Sequence, residues 1–277
     1  MLVYAITLVC ACVLVLMVYR YDMYNKEPWG VLAVTVALGM AVAFGIGFAE
    51  DAAIGVFDAD DSIGGQAAIA AVIEESAKLL IVVGLAIVFR QHFDDPIDGL
   101  IYGSFAGLGV ALEESRFYLG LSDPDSPVSV QAAPEVIRLI LHLLMGGLGS
   151  FGVGLIRFPK QTPPWPLVLP LGFATAVAIH FCWDFWCGIP RPDLPATFQR
   201  FAALGLMLGA TGLFAIAVVM GARWSRMVIA PGSQKRLWGW PFSLLLGRRR
   251  EKGSTLDRHD DESDGTGPAE PAASRSE

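Results

Sequence analysis

The sequence predicts an all-α membrane protein, a polytopic bundle of about seven transmembrane helices. Of its 277 residues, 54% are hydrophobic and only 17% are charged, whereas soluble domains carry about 25% charged residues. The mean hydropathy is +0.52. Apolar runs of about 20 residues, the length that spans a bilayer, recur along the chain. The net charge of −7 reflects an acidic C-terminal tail, and no basic patch predicts a nucleic-acid partner.

Seven apolar segments alternate with loops that contain proline, glycine or charged residues. The predicted helices are residues 2–18, 31–48, 67–90, 97–119, 136–156, 167–186 and 201–220, with an acidic loop at 50–62 and a proline-containing loop at 122–134. The first segment has no basic residue before it and no small-residue cleavage site after it. We therefore expect a retained helix rather than a signal peptide.

The distribution of charged residues divides the chain into three predicted parts. Residues 1–222 are predicted to form the membrane domain, 223–250 a basic interfacial segment that suits an anionic inner leaflet, and 251–277 a disordered acidic tail. Lysine and arginine cluster after helices one, three and five and after helix seven. The loop after helix six is an exception, because it lies on the other predicted side and also contains Arg191 and Arg200. This pattern predicts a multi-pass protein of the cell membrane with its N-terminus outside and its C-terminus in the cytoplasm.

Glycines recur every four residues in two of the predicted helices. They are Gly99, Gly103 and Gly107 in helix four, and Gly205 and Gly209 in helix seven. This spacing keeps one helix face small, so that a neighbouring helix can approach closely. We therefore expect both stripes to be packing surfaces.

Helix three carries three charged residues in an otherwise apolar segment: Glu74, Glu75 and Lys78. On insertion scales a charge near the centre of a membrane helix costs roughly 2.5–3.5 kcal/mol. Three such groups within five residues need partners or a function. The partners should lie on the other helices that face this segment.

Titratable residues on four predicted helices fall at similar depths. Glu74 is seven residues into helix three, Glu114 is five residues before the end of helix four, His142 is six residues into helix five, and His180 is about six residues before the end of helix six. With a rise of 1.5 Å per residue, all four lie roughly 8–11 Å below the outer boundary. The sequence therefore predicts one polar site in the outer part of the membrane.

The spacings within the helices support this site. Three pairs of polar residues are four apart and share a helix face: Glu74 with Lys78, Glu114 with Tyr118, and His180 with Asp184. Asp184 is in a position to orient the His180 ring. Glu75 points about 100° away from Glu74, which predicts a division of labour between them. Glu113 is expected to pair with Arg116 on the same helix.

Several interpretations of these polar residues remain open. The acids and Lys78 could form structural ion pairs, and His142 could be hydrogen-bonded across helices. A transporter or ion channel would use similar residues as a proton relay, and a non-catalytic scaffold is a third possibility. A carboxylate in apolar surroundings could instead activate water. Two histidines and a glutamate from helix three or four could hold Zn²⁺, and because there is no HExxH motif, a metal-free mechanism of glutamate and histidine also remains open.

The motifs resemble those of PrsW-type intramembrane proteases, a group related to CAAX-processing endopeptidases. The matching pieces are the YNKEPW segment at 24–29, the EExxK motif at Glu74–Lys78, Glu113–Glu114–Ser115 with Tyr118, His142 with Gly146, and the HxxWD motif at His180–Asp184. They cover residues 22–186, about 60% of the chain. The family usually has Asn where this chain has Ser115.

The resemblance implies a metallo-type endopeptidase that cuts a single-span membrane protein, such as an anti-sigma factor. The implied roles are catalytic for Glu74, Glu75, Glu114 and His180, metal-binding for His142, His180 and Glu114, and supporting for Lys78, Tyr118 and Asp184. The implied metal is Zn²⁺. The polar site is then expected to activate a water molecule for peptide hydrolysis.

Overall fold

The computed structural model describes residues 2–21, 26–121, 125, 127–162, 165–188 and 194–229. Within these ranges the chain forms α-helices joined by short connections, and no β-strand is present. The helices are α1 (Leu2–Tyr21), α2 (Trp29–Phe57), α3 (Ile63–Val88), α4 (Asp98–Leu121), α5 (Val128–Leu155), α6 (Trp165–Trp183) and α7 (Ala196–Ile229). The prediction of an all-α helix bundle is confirmed.

Five of these helices are long and apolar enough to cross a membrane. They are α1, α2, α5, α6 with the turn that follows it, and α7. Helices α3 and α4 contain the charged residues of the predicted site. Large apolar side chains are exposed on the outside of the bundle, among them Leu8, Phe44, Phe48, Leu80 and Leu208. An apolar outer surface is what lipid requires, so the protein is a multi-pass membrane protein.

Helix α2 extends nine residues beyond its predicted C-terminal end and includes most of the expected acidic loop. It continues through Glu50, in a segment without proline, and it ends at Asp58, whose φ of 52° is left-handed. Helix α3 then begins at Ile63, because the Ser62 hydroxyl accepts a hydrogen bond from the Gly65 amide at 3.0 Å. Glu50 therefore lies on a helix.

Helices α5 and α7 also exceed their predicted lengths. Helix α5 starts directly after Pro127 and includes Pro134, so Pro134 did not mark its beginning. A proline removes the hydrogen bond of its own amide and crowds the carbonyl one turn earlier, and in a membrane bundle neighbouring helices can offset this cost. Helix α7 continues to Ile229, past the expected domain boundary at residue 222, and its Trp224 ring stacks on Phe151 at 5.8 Å.

Helix α4 lies at the centre of the bundle, between α2 and α5. Its glycines meet the α5 backbone: Gly99 faces Ser150 and Gly154, Gly103 faces Gly146, and Gly107 faces the His142 carbonyl. This confirms the first glycine stripe as a packing surface. The packing expected of the second stripe is not seen, since within the described part of the chain nothing lies within 4 Å of a Cβ built at Gly205 or Gly209.

Hydrogen bonds made by the connecting segments bring several helix ends together at one end of the bundle. These are the start of α2, the end of α3, the start of α4 and the ends of α5 and α7. The Tyr102 hydroxyl donates to Glu27. Arg157 donates to the backbone carbonyls of Arg90 and Phe93 at 2.5 and 2.9 Å. The chain therefore crosses the bundle in alternating directions. Its orientation in the membrane, with the N-terminus outside, stays a prediction.

Residues 230–277 lie outside the described part of the chain. They include most of the predicted basic segment, 223–250, and the whole predicted acidic tail, 251–277. Both assignments stay predictions.

Replacing Gly107 by alanine is expected to destabilise the bundle. The new methyl group would lie 2.0 Å from the His142 carbonyl oxygen, so α4 and α5 would have to separate. Overpacking of this kind costs typically about 1–3 kcal/mol. The thermal midpoint of the purified protein in detergent should fall for Gly107→Ala. The thermal midpoint should stay unchanged in the control Gly209→Ala. Equal midpoints in the two variants would contradict the close approach of α4 to α5 at Gly107.

Candidate functional site

Three helices bring five buried polar side chains together in the interior of the bundle. Helix α3 contributes Glu74, Glu75 and Lys78, α5 contributes His142, and α6 contributes His180. All five are at most 5% exposed. The prediction that these side chains meet is therefore confirmed by their positions, whereas their catalytic roles stay predictions.

Lys78 and Glu75 form the base of this cluster. Lys78 Nζ donates to Glu75 Oε1 at 2.7 Å and contacts His142 Nδ1 at 2.9 Å. Since a lysine ammonium only donates, His142 Nδ1 acts as the acceptor. Glu75 Oε1 also lies 2.8 Å from His180 Nδ1. A carboxylate only accepts, so His180 carries its proton on Nδ1, and its Nε2 is turned toward the rest of the site.

Glu74 occupies a different position from its neighbour. Its Oε1 is 3.8 Å from His180 Nε2, and its Oε2 is 3.7 Å from His142 Nδ1. Oε2 is buried and accepts no hydrogen bond from the described residues, although Lys78 Nζ lies 3.4 Å away. The expected i, i+4 pair of Glu74 with Lys78 is thus present. Because Glu74 Oε2 accepts no hydrogen bond among the described residues, Glu74 is the carboxylate that is available to a ligand.

Glu74, His142 and His180 form a group that could hold a metal ion. One donor atom from each lies within 4.8 Å of the other two. The expected ligand set had Glu114 beside the two histidines, whereas the group that the structure brings together contains Glu74. Glutamate and two histidines are also the protein ligands of many catalytic zinc sites. The donor types and the free Glu74 oxygen therefore fit a metal.

Glu114 lies next to this group, on α4. Its Oε2 is 3.1 Å from His142 Nε2 and 3.5 Å from Arg138 Nε. Arg138 also donates to Glu135 at 2.5 Å, and its guanidinium lies 4.1 Å from the centre of the Tyr118 ring. Arg138 and His142 thus flank Glu114, while the buried Ser115 hydroxyl finds no described partner. The Tyr118 ring thus lies against the Arg138 guanidinium.

Asp184 lies one turn beyond His180, where α6 changes into a π-helical turn at Asp184–Gly188. Its Oδ2 is 3.4 Å from His180 Nε2, so the predicted i, i+4 contact is present. Glu113 points elsewhere and pairs with Arg116, with Nε–Oε2 at 2.9 Å, as predicted. Adjacent glutamates on α4 therefore have separate surroundings.

A cavity of about 250 Å³ opens beside the buried group. Glu74, Glu114, His142, His180 and Asp184 line it together with apolar residues of α2 and α3. Glu75 and Lys78 do not line it, which matches the expected division of labour between the neighbouring glutamates. A polar cavity walled by apolar helices is suited to holding water and a polar portion of a substrate.

Two charged residues of this cavity are not among the site residues predicted from the sequence. Glu50 lines the cavity from α2, and its buried Oε1 has no hydrogen-bond partner among the described residues. The sequence predicts a loop there, and only the absence of proline before Asp58 indicated that the helix continues. No role is predicted for Arg138 from the sequence. Its spacing from His142, four residues on α5, was the available signal.

The depth estimate depended on helix ends that differ in the structure. His142 follows the start of α5 by fourteen residues, about 21 Å, and Glu74 follows the start of α3 by eleven, about 17 Å. The side chains meet because of how the helices cross, and their distances from the helix ends are unequal. Placement of the site in the outer part of the membrane stays a prediction.

Comparison with known proteins gives a consistent family assignment. A family model described as PrsW family intramembrane metalloprotease matches residues 27–220. Protease PrsW of Bacillus subtilis (strain 168) is 27% identical over 173 residues, 60% of this chain and 74% of the relative. Protease PrsW of Clostridioides difficile (strain 630) is 24% identical over 117 residues, 42% of this chain and about half (49%) of the relative.

No solved structure matches the chain. The family match covers far more than half of the sequence and includes α2 to α6, the helices that build the polar cavity. The resemblance seen in the motifs is thereby confirmed, and with it the assignment as an intramembrane protease. The chain belongs to the PrsW family of intramembrane metalloproteases.

Proposed function

We propose that this protease hydrolyses a peptide bond of a single-span regulatory membrane protein, of the anti-sigma-factor kind, in a Zn²⁺-assisted reaction. The observation that carries the proposal is the buried Glu74–His142–His180 group on the wall of a polar cavity. A buried carboxylate with a free oxygen and two histidines is costly to maintain unless the residues have a ligand or a reaction to perform.

The surrounding residues support metal binding at this group. Glu75 accepts the Nδ1 proton of His180 and so presents Nε2, the arrangement that usually supports a metal-bound histidine. Ligation through His142 Nδ1 would replace the hydrogen bond from Lys78, which would keep its contact with Glu75. When bound, Zn²⁺ supplies a Lewis acid that polarises the peptide carbonyl and acidifies the attacking water.

Glu114 is the proposed proton acceptor. It lines the cavity, and Arg138 and His142 fix its carboxylate from two sides. In the reaction Glu114 takes a proton from water, whose oxygen adds to the carbonyl carbon of the substrate. Glu114 then delivers that proton to the amide nitrogen as the C–N bond breaks. The products are a carboxylic acid and an amine, as hydrolysis requires.

The proposed substrate is an extended stretch of a membrane helix. A helix in lipid satisfies its own backbone hydrogen bonds, so it must unwind before a carbonyl becomes accessible. The polar side chains that line the cavity, such as Gln66 and Arg138, can take up the freed backbone groups. We further propose that the basic segment 223–250 contacts anionic lipid of the inner leaflet.

Metal removal provides the test of this function. Purified protein in lipid vesicles, mixed with a panel of tagged single-span membrane proteins, should cleave at least one of them in or beside its membrane segment. A Zn²⁺ chelator should abolish the cleavage, and added Zn²⁺ should restore it. Mass spectrometry of the products identifies the bond, and elemental analysis should find about one zinc per chain.

Two control variants test whether zinc binding and proteolysis depend on the same histidine. His180→Ala should lack both zinc and activity, whereas His92→Ala, on the connection after α3, should retain both. Active protein with far less than one metal per chain, indifferent to chelators, would overturn the metal-assisted reaction. Absence of cleavage across the panel, with zinc bound, would overturn the proposed substrate class.

A further inference from the structure

A second group of acidic residues lies at the opposite end of the bundle from the cavity. We refer to Glu27, Asp94, Asp95 and Asp98 as the four-carboxylate cluster. Glu27 precedes α2, Asp94 and Asp95 lie in the connection between α3 and α4, and Asp98 is the first residue of α4. Sixteen residues of α4, about 24 Å, separate Asp98 from Glu114. The peptidase site therefore makes no use of this cluster.

The carboxylates of this cluster converge. One oxygen each of Glu27, Asp94 and Asp98 lies within 4.8 Å of the other two. Glu27 and Asp98 are buried, at 4% and 0% exposure, whereas Asp94 is exposed. Asp94 therefore leaves the group reachable from solvent, which a site for a small ion requires.

Local hydrogen bonds fix the buried carboxylates in place. The Asp95 amide donates to Asp98 Oδ2 at 2.6 Å, and the Tyr102 hydroxyl donates to Glu27. The Ile97 amide donates to Asp95 Oδ1 at 3.1 Å, and the Ser225 hydroxyl of α7 donates to the same oxygen. These donors fix one oxygen each of Asp98, Glu27 and Asp95.

Two of the remaining oxygens are buried without a partner. Asp98 Oδ1 and Asp95 Oδ2 accept no hydrogen bond from the described residues, and neither aspartate forms an ion pair there. The nearby Arg157 guanidinium donates to backbone carbonyls of the same connection. Adjacent buried carboxylates repel each other, and a carboxylate oxygen without a hydrogen bond is costly in the interior, and a bound cation would offset both costs.

We propose that Glu27, Asp94 and Asp98 form a binding site for a hard divalent cation of the Mg²⁺ and Ca²⁺ class. Oxygen-only donors favour these ions over zinc, which distinguishes this site from the glutamate and histidine group. The cation joins the start of α2 to the start of α4, and Asp95 extends the connection to α7 through Ser225. Its function is to hold this end of the bundle together.

Binding of Mn²⁺, a paramagnetic substitute for Mg²⁺, tests the proposal. The full chain with Glu74→Gln, which removes a ligand of the other group, is stripped with chelator and titrated with Mn²⁺ by electron paramagnetic resonance. We expect about one bound Mn²⁺ per chain, competed by Mg²⁺ or Ca²⁺, and a higher thermal midpoint with the ion. Adding Asp98→Asn should weaken binding at least tenfold.

Two further variants keep the result decisive. Asp94→Asn changes an exposed ligand without disturbing the interior and should also weaken Mn²⁺ binding and remove the ion-dependent rise in thermal midpoint. Glu113→Gln, an acid outside both groups, should bind like the parent. Failure of the parent to bind Mn²⁺, or equal binding by Asp94→Asn and the parent, would overturn the proposal and point to a shared proton instead.

Discussion

The Glu74→Gln variant is expected to lose both zinc and proteolysis, by roughly 10³-fold or more in activity. Partners in the outer shell of a metal site are typically worth about 10–100-fold, and Glu74 is a proposed direct ligand. Glutamine has the same shape but lacks the charge that holds the cation. Cleavage of the substrate in vesicles, with elemental analysis of the same preparation, measures both losses.

Glu75→Gln is the matched comparison, because the two glutamates are neighbours in sequence and both are buried. Its side chain can still accept the His180 Nδ1 proton but no longer pairs as a charge with Lys78. We expect a loss of about 10–100-fold and zinc that is retained but held more weakly. If Glu75→Gln were the inactive variant and Glu74→Gln the active one, the assigned roles would be reversed.

Replacing Glu114 by glutamine should separate the proton acceptor from the metal ligands. Glutamine cannot take a proton from water, and general base catalysis contributes about 10²–10⁴-fold. The kcat should fall by that amount, whereas zinc content should stay near one per chain. Steady-state kinetics on the cleaved substrate, with metal analysis, tests both expectations.

The adjacent Glu113 provides the control for this variant. It pairs with Arg116 and does not line the cavity, so Glu113→Gln should keep kcat within about a factor of two. A Glu114→Gln protein with parental kcat would exclude Glu114 as the base. A Glu114→Gln protein that lacks zinc would restore Glu114 to the ligand set that the family resemblance implied.

The sequence contained enough information to predict which segments meet at the site. Glu74 with Lys78 and His180 with Asp184 are four apart, and helical geometry alone places such pairs on one face. It did not decide between Glu74 and Glu114 as the metal-facing carboxylate. That choice depends on how each helix is rotated about its axis, which is set by packing with its neighbours.

The helix ends were less predictable, and one functional residue was missed for that reason. Acidic residues after an apolar run suggested the end of α2, yet α2 continues to Phe57. Glu50 therefore lines the cavity although the sequence did not predict it there. A charge in a sequence marks a loop only if it faces water, and here the neighbouring helices supply a polar interior instead.

The close approach of Gly107 to the His142 carbonyl limits the routes by which a substrate can reach the site. Since the backbones of α4 and α5 touch along the glycine stripe, separating these two helices would break a close-packed contact. Opening that seam would displace His142 and dismantle the reaction centre. We therefore expect a substrate helix to approach from the side of α2 and α3, where Ile54 and Gln66 border the cavity. Entry from this side would leave the contact between Glu114 of α4 and His142 of α5 in place, whereas Glu74 lies on α3 and borders the route itself.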